Sequence, residues 1–293
     1  MKTNMRQITD KYKEQLKKLG MFWRRYRKNK AGVLGLIGLL IILLISVFAP
    51  LITDIDPLSN AYSINLPPNN VNWFGTDDLG RDVFSRTVFG GRMSLIVGVL
   101  ASLVSTVVGI AIGAIAGYMG KGVDLALMNF TEFFQIIPQF FLALMIAAFF
   151  GPSFSGIILV IGMLGWPSTA RLVRAEFLTI KSHEFVLAAR ALGCSNKRII
   201  FSEILPGAMP QVIVNASLRM ASAILMEASL NFFGLGDPSK ISWGKMLNDS
   251  KSLLWNAPWT SIFPGIAILL TVLCINLVGD ALNDALNPKF RER

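Results

Sequence analysis

Six apolar runs separated by polar connectors organise the chain. Crossing the hydrocarbon of a bilayer takes about 20 mostly apolar residues. Residues 31–53 and 93–118 carry no charge, and the second run is rich in Gly and Ala. Residues 125–150 are apolar except for Glu132, with Pro138 as a candidate kink. Residues 154–170 form the weakest run, which reaches span length only by continuing past Arg171. Residues 205–233 are long enough but contain Arg219 and Glu227, and begin at a second candidate kink, Pro206. Residues 261–282 stay apolar until Asp280. The pattern predicts an all-α integral membrane protein with six transmembrane helices.

Charge orients these spans. Lys and Arg crowd the segment between Lys2 and Lys30, directly ahead of the first apolar run. Basic flanks stay in the cytosol, so the amino end is expected inside. The first run exceeds the roughly 7–15 residues of a signal-peptide core, which argues against a cleaved leader. Six crossings then put both termini in the cytosol. The loop from Arg171 to Ser202, expected inside, carries Arg171, Arg174, Lys181, Arg190, Lys197 and Arg198. The tail Lys289–Arg293 is basic too. These segments agree with the crossing count independently of hydropathy.

Composition fits the same class. Hydrophobic residues make up 53% and charged residues 16%, against roughly 25% charged in soluble domains. The net charge of +10 is concentrated where it orients spans and meets anionic lipid, so it points to membrane lipid and to no nucleic acid. Cys194 and Cys274 lie far apart, and His183 is the only histidine. No metal-ligand spacing results, and a disulfide is not expected.

The expected organisation follows. Residues 1–30 are a basic cytosolic segment, 31–53 the first transmembrane helix and 54–91 an extracytoplasmic loop. Residues 92–283 form a five-helix membrane unit, and 284–293 a cytosolic tail. The part before residue 92 reads as an addition to the five-span core, because it brings its own span and an Asn- and Pro-rich connector at 65–72.

Charges at membrane depth cost ~2.5–3.5 kcal/mol each on insertion scales, so each calls for a reason. Glu132 can face a central pathway or a partner subunit. Alternatively it snorkels to the cytosolic face and pairs with a basic loop residue, which its nearness to the helix end favours. Arg219 and Glu227 lie two turns apart on a similar face, where they can pair or line a wet cavity. No nucleophile–base pair or metal triad stands at these depths, which argues against an intramembrane enzyme. A channel or secondary carrier would call for pore rings or broken half-helices, which the runs do not advertise.

The basic loop holds one further element. Glu184-Phe185-Val186-Leu187-Ala188-Ala189-Arg190-Ala191-Leu192-Gly193 is too short and too charged to span. Ser182 is placed to cap it, and Glu184 sits in the first turn where the helix dipole favours an anion. Phe185, Ala188, Ala189 and Leu192 recur at helical spacing and form a flat apolar face. Gly193 supplies a left-handed stop. The face has too little apolar bulk to hold lipid strongly, so a groove on a soluble protein is the better partner.

This segment resembles the cytosolic coupling segment of ABC importer permeases. Ala188, Ala189, Gly193, Leu205 and Pro206 fall on that family's spacing, while Leu187 replaces its glutamate. The resemblance extends through Trp73-Phe74-Gly75-Thr76-Asp77-Asp78-Leu79-Gly80-Arg81-Asp82, Gly165-Trp166-Pro167, Glu227-Ala228-Ser229-Leu230, Ser242-Trp243-Gly244 and Gly279-Asp280-Ala281-Leu282-Asn283-Asp284. These motifs, in order, are similar to the C-type permease of oligopeptide and dipeptide importers. The resemblance implies a type I ABC importer transmembrane domain in a bacterial cytoplasmic membrane. Its implied partners are a second homologous permease, two cytosolic ATPase subunits and an extracytoplasmic substrate-binding protein. The implied coupling residues are Glu184, Phe185, Ala188, Ala189, Arg190, Leu192 and Gly193. The implied cargo is di- or oligopeptides, with a nickel or other metal chelate, glutathione or an oligosaccharide as the alternative. The chain lacks a Gly-x-x-x-x-Gly-Lys-Ser/Thr loop, so no cofactor is expected in it, and ATP and Mg belong to the partner subunits.

Overall fold

The computed structural model describes residues 20–286, and its regular elements are helices. The first part of the basic N-terminal segment and the tail Lys289–Arg293 lie outside the described residues. The helices are α1 (Lys30–Val47), α2 (Val83–Met119), α3 (Lys121–Ile136), α4 (Gln139–Phe150), α5 (Phe154–Lys181), α6 (Glu184–Ala191), α7 (Leu205–Phe232), α8 (Trp243–Asp249) and α9 (Trp259–Leu286). Five helical runs are long and apolar enough to cross a membrane: α1, α2, α5, the run Asn196–Phe232 that ends in α7, and α9.

The third apolar run departs from expectation. It is not one straight helix but two, α3 and α4, bent by 80° at Ile137-Pro138. Proline removes a backbone donor and its ring pushes the preceding residue out of the helical region. Ile137 accordingly sits extended, at φ −86° and ψ 130°. The six-span count therefore holds with this broken pair taken as one crossing. Pro206 lies inside the continuous helical run Asn196–Phe232 and does not break it. The irregularity is upstream, a π-helical turn over Ile199–Ile204.

The second span also starts ten residues earlier than its charge-free core. Asp82 caps α2 by accepting from the Ser85 amide at 2.7 Å, so the loop expected over 54–91 ends there. Arg86 and Arg92 made this turn read as loop. In the fold, Arg86 is buried in ion pairs with Asp77 and Asp249. Arg92 donates to the carbonyls of Ser46 and Val47, each at 2.6 Å.

Small residues set the packing. Gly109, Gly113 and Gly117, one turn apart on α2, let its backbone lie against Thr169, Ala170, Val173 and Phe177 of α5. A Cβ on Gly113 would come 2.8 Å from the Val173 Cβ, closer than side chains pack, so this seam needs glycine. In lipid, helices associate by such close contact, since apolar surface alone gives no drive. The added first span is held the same way, with Gly32 and Gly35 of α1 against Ala281 and Leu277 of α9.

Candidate functional site

The loop after α5 brings its short helix back against the end of α5 and the π-helical turn ahead of α7. The Val186 side chain is fully buried among Val173, Phe177, Ile180, Ile199 and Ile204, and Ala189 packs beside it. Phe185, Ala188, Arg190 and Leu192 point away, with Leu192 84% exposed. The expected apolar face is therefore split. Ala189 serves the inner seam with Val186, whereas Phe185, Ala188 and Leu192 form an outward stripe at i, i+3 and i+7. The period was right, but two apolar stripes run along one short helix, and the sequence does not say which one the chain keeps for itself.

The ends of α6 are built differently from each other. The Ser182 hydroxyl does not cap the helix; it donates to the Thr179 carbonyl at 2.7 Å and so finishes α5. His183 takes the capping position without a side-chain bond, and Glu184 remains in the first turn. At the other end Gly193 has φ +74°. Its amide donates to the Arg190 carbonyl at 3.0 Å, and that of Cys194 to the Ala189 carbonyl at 3.1 Å. This bond pair closes a helix when a left-handed residue follows it. Tyr118 at the end of α2 donates to the Asn196 side chain at 2.6 Å. Lys181 donates to the Tyr118 carbonyl. The end of α2 is thus tied both to α5 and to the segment that follows the short helix.

The three charges at depth separate. Glu132 is exposed on α3 and, among the described residues, makes no ion pair. The expected pairing to a basic loop residue is made by Asp124 instead, one helical stretch earlier, with Arg174 reaching it through two nitrogens, one at 2.6 Å. Glu227 and Arg219 do not pair. Eight residues at 100° leave them about 80° apart around α7. Glu227 turns inward, 1% exposed, and accepts from Ser94 at 3.1 Å and Asn231 at 2.7 Å. It fastens α7 to α2 and does not face a pathway. Arg219 lines a cavity between α2, α5 and α7.

On the opposite end of the spans, the Trp73–Arg86 motif folds into a polar cap. Asp77 accepts from the Leu79 and Arg81 amides at 3.0 and 2.9 Å, from the Arg81 side chain at 2.8 Å, and from Arg86. Arg86 also donates to Asp249 at 2.8 Å, and Lys245 does so at 3.0 Å. Burial pushes the Asp249 carboxyl up, but Arg86 and Lys245 outweigh it and hold it below the usual carboxylate range. Trp259 donates to the Thr76 carbonyl at 3.0 Å and Trp243 to that of Thr87 at 2.8 Å. The motif residues were legible as a group. Their pairing with Asp249, 163 positions downstream of Arg86, was not.

Comparison with known proteins places this arrangement. The family described as binding-protein-dependent transport system inner membrane component matches residues 109–292. The N-terminal TM domain of oligopeptide transport permease C matches residues 18–68. The dipeptide transport system permease protein DppC of Alkalihalophilus pseudofirmus is 41% identical over 276 residues, covering 92% of this chain and 89% of that one. The oligopeptide transport system permease protein OppC of Bacillus subtilis is 36% identical, covering 92% and 88%. The glutathione transport system permease protein GsiD of Pectobacterium atrosepticum is 35% identical, covering 92% and 91%. Among solved structures, the MetNI methionine ABC transporter in inward facing conformations aligns with a TM-score of 0.59 at 19% identity, over 69% of this chain and 96% of that one. With a family match across more than half its length and relatives along nearly all of it, the chain belongs to the binding-protein-dependent transport system inner membrane components of ABC importers.

Proposed function

We propose that this chain is one half of the membrane pathway of an ATP-driven importer of di- and oligopeptides. The observation that carries the cargo is the 41% identity to a permease named for dipeptide transport, sustained over 92% of the chain. In this reading a second homologous permease supplies the other half and two cytosolic ATPase subunits hold ATP and Mg. An extracytoplasmic binding protein delivers the peptide. The outward stripe of α6, Phe185, Ala188 and Leu192 with Glu184 and Arg190 at its flanks, is the surface offered to an ATPase groove. An eight-residue helix is about 12 Å long and marginal alone in water. Here Val186 and the glycine stop at Gly193 hold it in place beforehand, which reduces the ordering cost of docking.

Two measurements test this. The complete complex with its binding protein, reconstituted in vesicles, is expected to import short peptides only with ATP on the ATPase side of the membrane, opposite the peptide. Import of a metal chelate or a sugar but of no peptide would overturn the cargo while keeping the importer. The orientation is tested by cysteine labelling after Cys194 and Cys274 are replaced by Ala. Cysteines at Asn69 and Ser252, both exposed, are expected to label from outside in intact cells. A cysteine at Asn196 is expected to label only after permeabilisation, and labelling of intact cells there would invert the topology and remove α6 from the cytosol.

A further inference from the structure

We propose that the cavity around Arg219 is a carboxylate site that receives the C-terminal carboxylate of the transported peptide; this rests on the peptide reading above. The cavity holds about 270 Å³ and touches α2, α5, α7 and the start of α4. A second space of about 230 Å³ adjoins it and shares Gln139, Gly165 and Arg219. The two open where the α3–α4 break at Pro138 draws the backbone aside.

Three features make the space attractive to an anion. Arg219 stands near the middle of α7, and among the described residues no carboxylate lies within ion-pair distance of it. An unpaired charge at that depth calls for a partner. The cavity wall itself contributes none, being made of serines, Gln139 and small or apolar residues without an Asp or Glu. The second feature is the N-terminus of α4, a twelve-residue helix that begins at Gln139 on the cavity wall and carries no side-chain cap. Its first amides are free to meet an anion, and its dipole adds positive potential at the same place. The third is the Ser105 hydroxyl on the wall, 2% exposed and without a hydrogen-bond partner among the described residues. Buried hydroxyls are rarely left unbonded. Broken membrane helices that aim their half-helix N-termini at a substrate's anionic group are a recurring way to hold it at mid-membrane. Ser102 and Ser222 also line the wall, but their hydroxyls already donate to the Ala216 and Leu218 carbonyls at 2.8 and 3.2 Å, which leaves Ser105 as the free one. A free peptide carries a carboxylate at one end whatever its side chains, so such a site accepts many sequences.

The test compares uptake of one short peptide as its free acid and as its C-terminal amide. The complete reconstituted complex is used with one binding protein throughout. Because the binding protein is common to every arm, a change in the acid-to-amide ratio between variants reports this chain alone. Wild type is expected to favour the acid. Arg219→Gln is expected to reduce that ratio about tenfold or more, the size of a lost charge-assisted bond, while Arg219→Lys keeps most of it. Ser222→Asp places a carboxylate inside the cavity, where it occupies Arg219 and is expected to erase the preference; Ser222→Asn is expected to retain it. Should Arg219→Gln fail to assemble, the Ser222 pair decides. An unchanged ratio in Arg219→Gln or in Ser222→Asp, with assembly and ATPase activity normal, would overturn the site and leave the peptide reading standing. If wild type imports neither form, the peptide reading falls and the site falls with it.

Discussion

Placing arginine at Ala188 is expected to leave the chain folded and inserted while cutting ATP-driven peptide uptake about thirtyfold or more, the scale of a central interface residue. Ala188 is exposed in this chain and touches none of its buried clusters, so the substitution should change stability by no more than about 0.5 kcal/mol. A partner groove that fits a methyl has no room for a guanidinium and no water for it. Ala189→Arg would not ask the same question. That side chain is half-buried against the cluster around Val186, so its replacement damages the chain's own packing and should lower the amount of protein recovered. Gly193 offers a second route to the same surface. No atom lies within 4 Å of a Cβ built there, so Gly193→Val acts only through φ +74°. The strain is about 1–2 kcal/mol, roughly five- to thirtyfold in the population of the docking-ready helix. Gly193→Asn, which tolerates the left-handed region, is expected to keep most of the uptake. Co-purification of the ATPase subunits together with uptake in vesicles reads both effects. Normal uptake and normal ATPase co-purification in Ala188→Arg would show that the outward stripe of α6 docks nothing.

The fold was legible where one physical rule dominates. A bilayer demands long apolar runs: α2, α5 and α9 contain the runs that the sequence shows and α7 matches its run to within one residue, while α1 covers the expected 31–53 only as far as Val47. The same rule failed at their edges. Arg86 and Arg92 read as loop because a charge in isolation belongs in water, and only the fold reveals the carboxylates and carbonyls that receive them. Pro138 was visible as a kink, but the 80° size of the bend was not. Around α6 the helix, its stop at Gly193 and its apolar period were readable. Ser182 was not, because a serine between two helices can finish one or begin the other. Nor could periodicity place Glu227 and Arg219. One is inside the protein and one lines a cavity, a difference of about 80° around a helix that is apolar nearly all round.

The outer cap predicts the largest loss of stability. Arg86→Met is expected to destabilise the folded chain by about 3–5 kcal/mol, the range for breaking a buried ion pair. The side chains of Arg86, Asp77 and Asp249 are 3%, 5% and 18% exposed, so Asp77 cannot turn to water when the guanidinium is gone and Asp249 can do so only in part. Asp77 keeps Arg81, and Asp249 keeps Lys245 and, at 3.5 Å, Arg81. Arg81 would then carry alone the bridge from the 54–82 loop to α8 that Arg86 now shares. Adding Asp249→Asn to Arg86→Met should recover part of the loss, because one stranded charge disappears, and that non-additivity identifies the pair as the cause. Acid should act on the same contact. The Asp249 carboxyl is held below its usual range, so its contribution is fully present above the unfolded-state pKa. It fades as pH falls through the lower folded-state value. Thermal inactivation of a membrane protein is commonly irreversible, so the readable quantity is a half-life at fixed temperature in detergent or nanodiscs. A half-life for Arg86→Met equal to that of wild type, at neutral pH and low salt, would show that the cap is held by its tryptophan–carbonyl bonds and not by its charges.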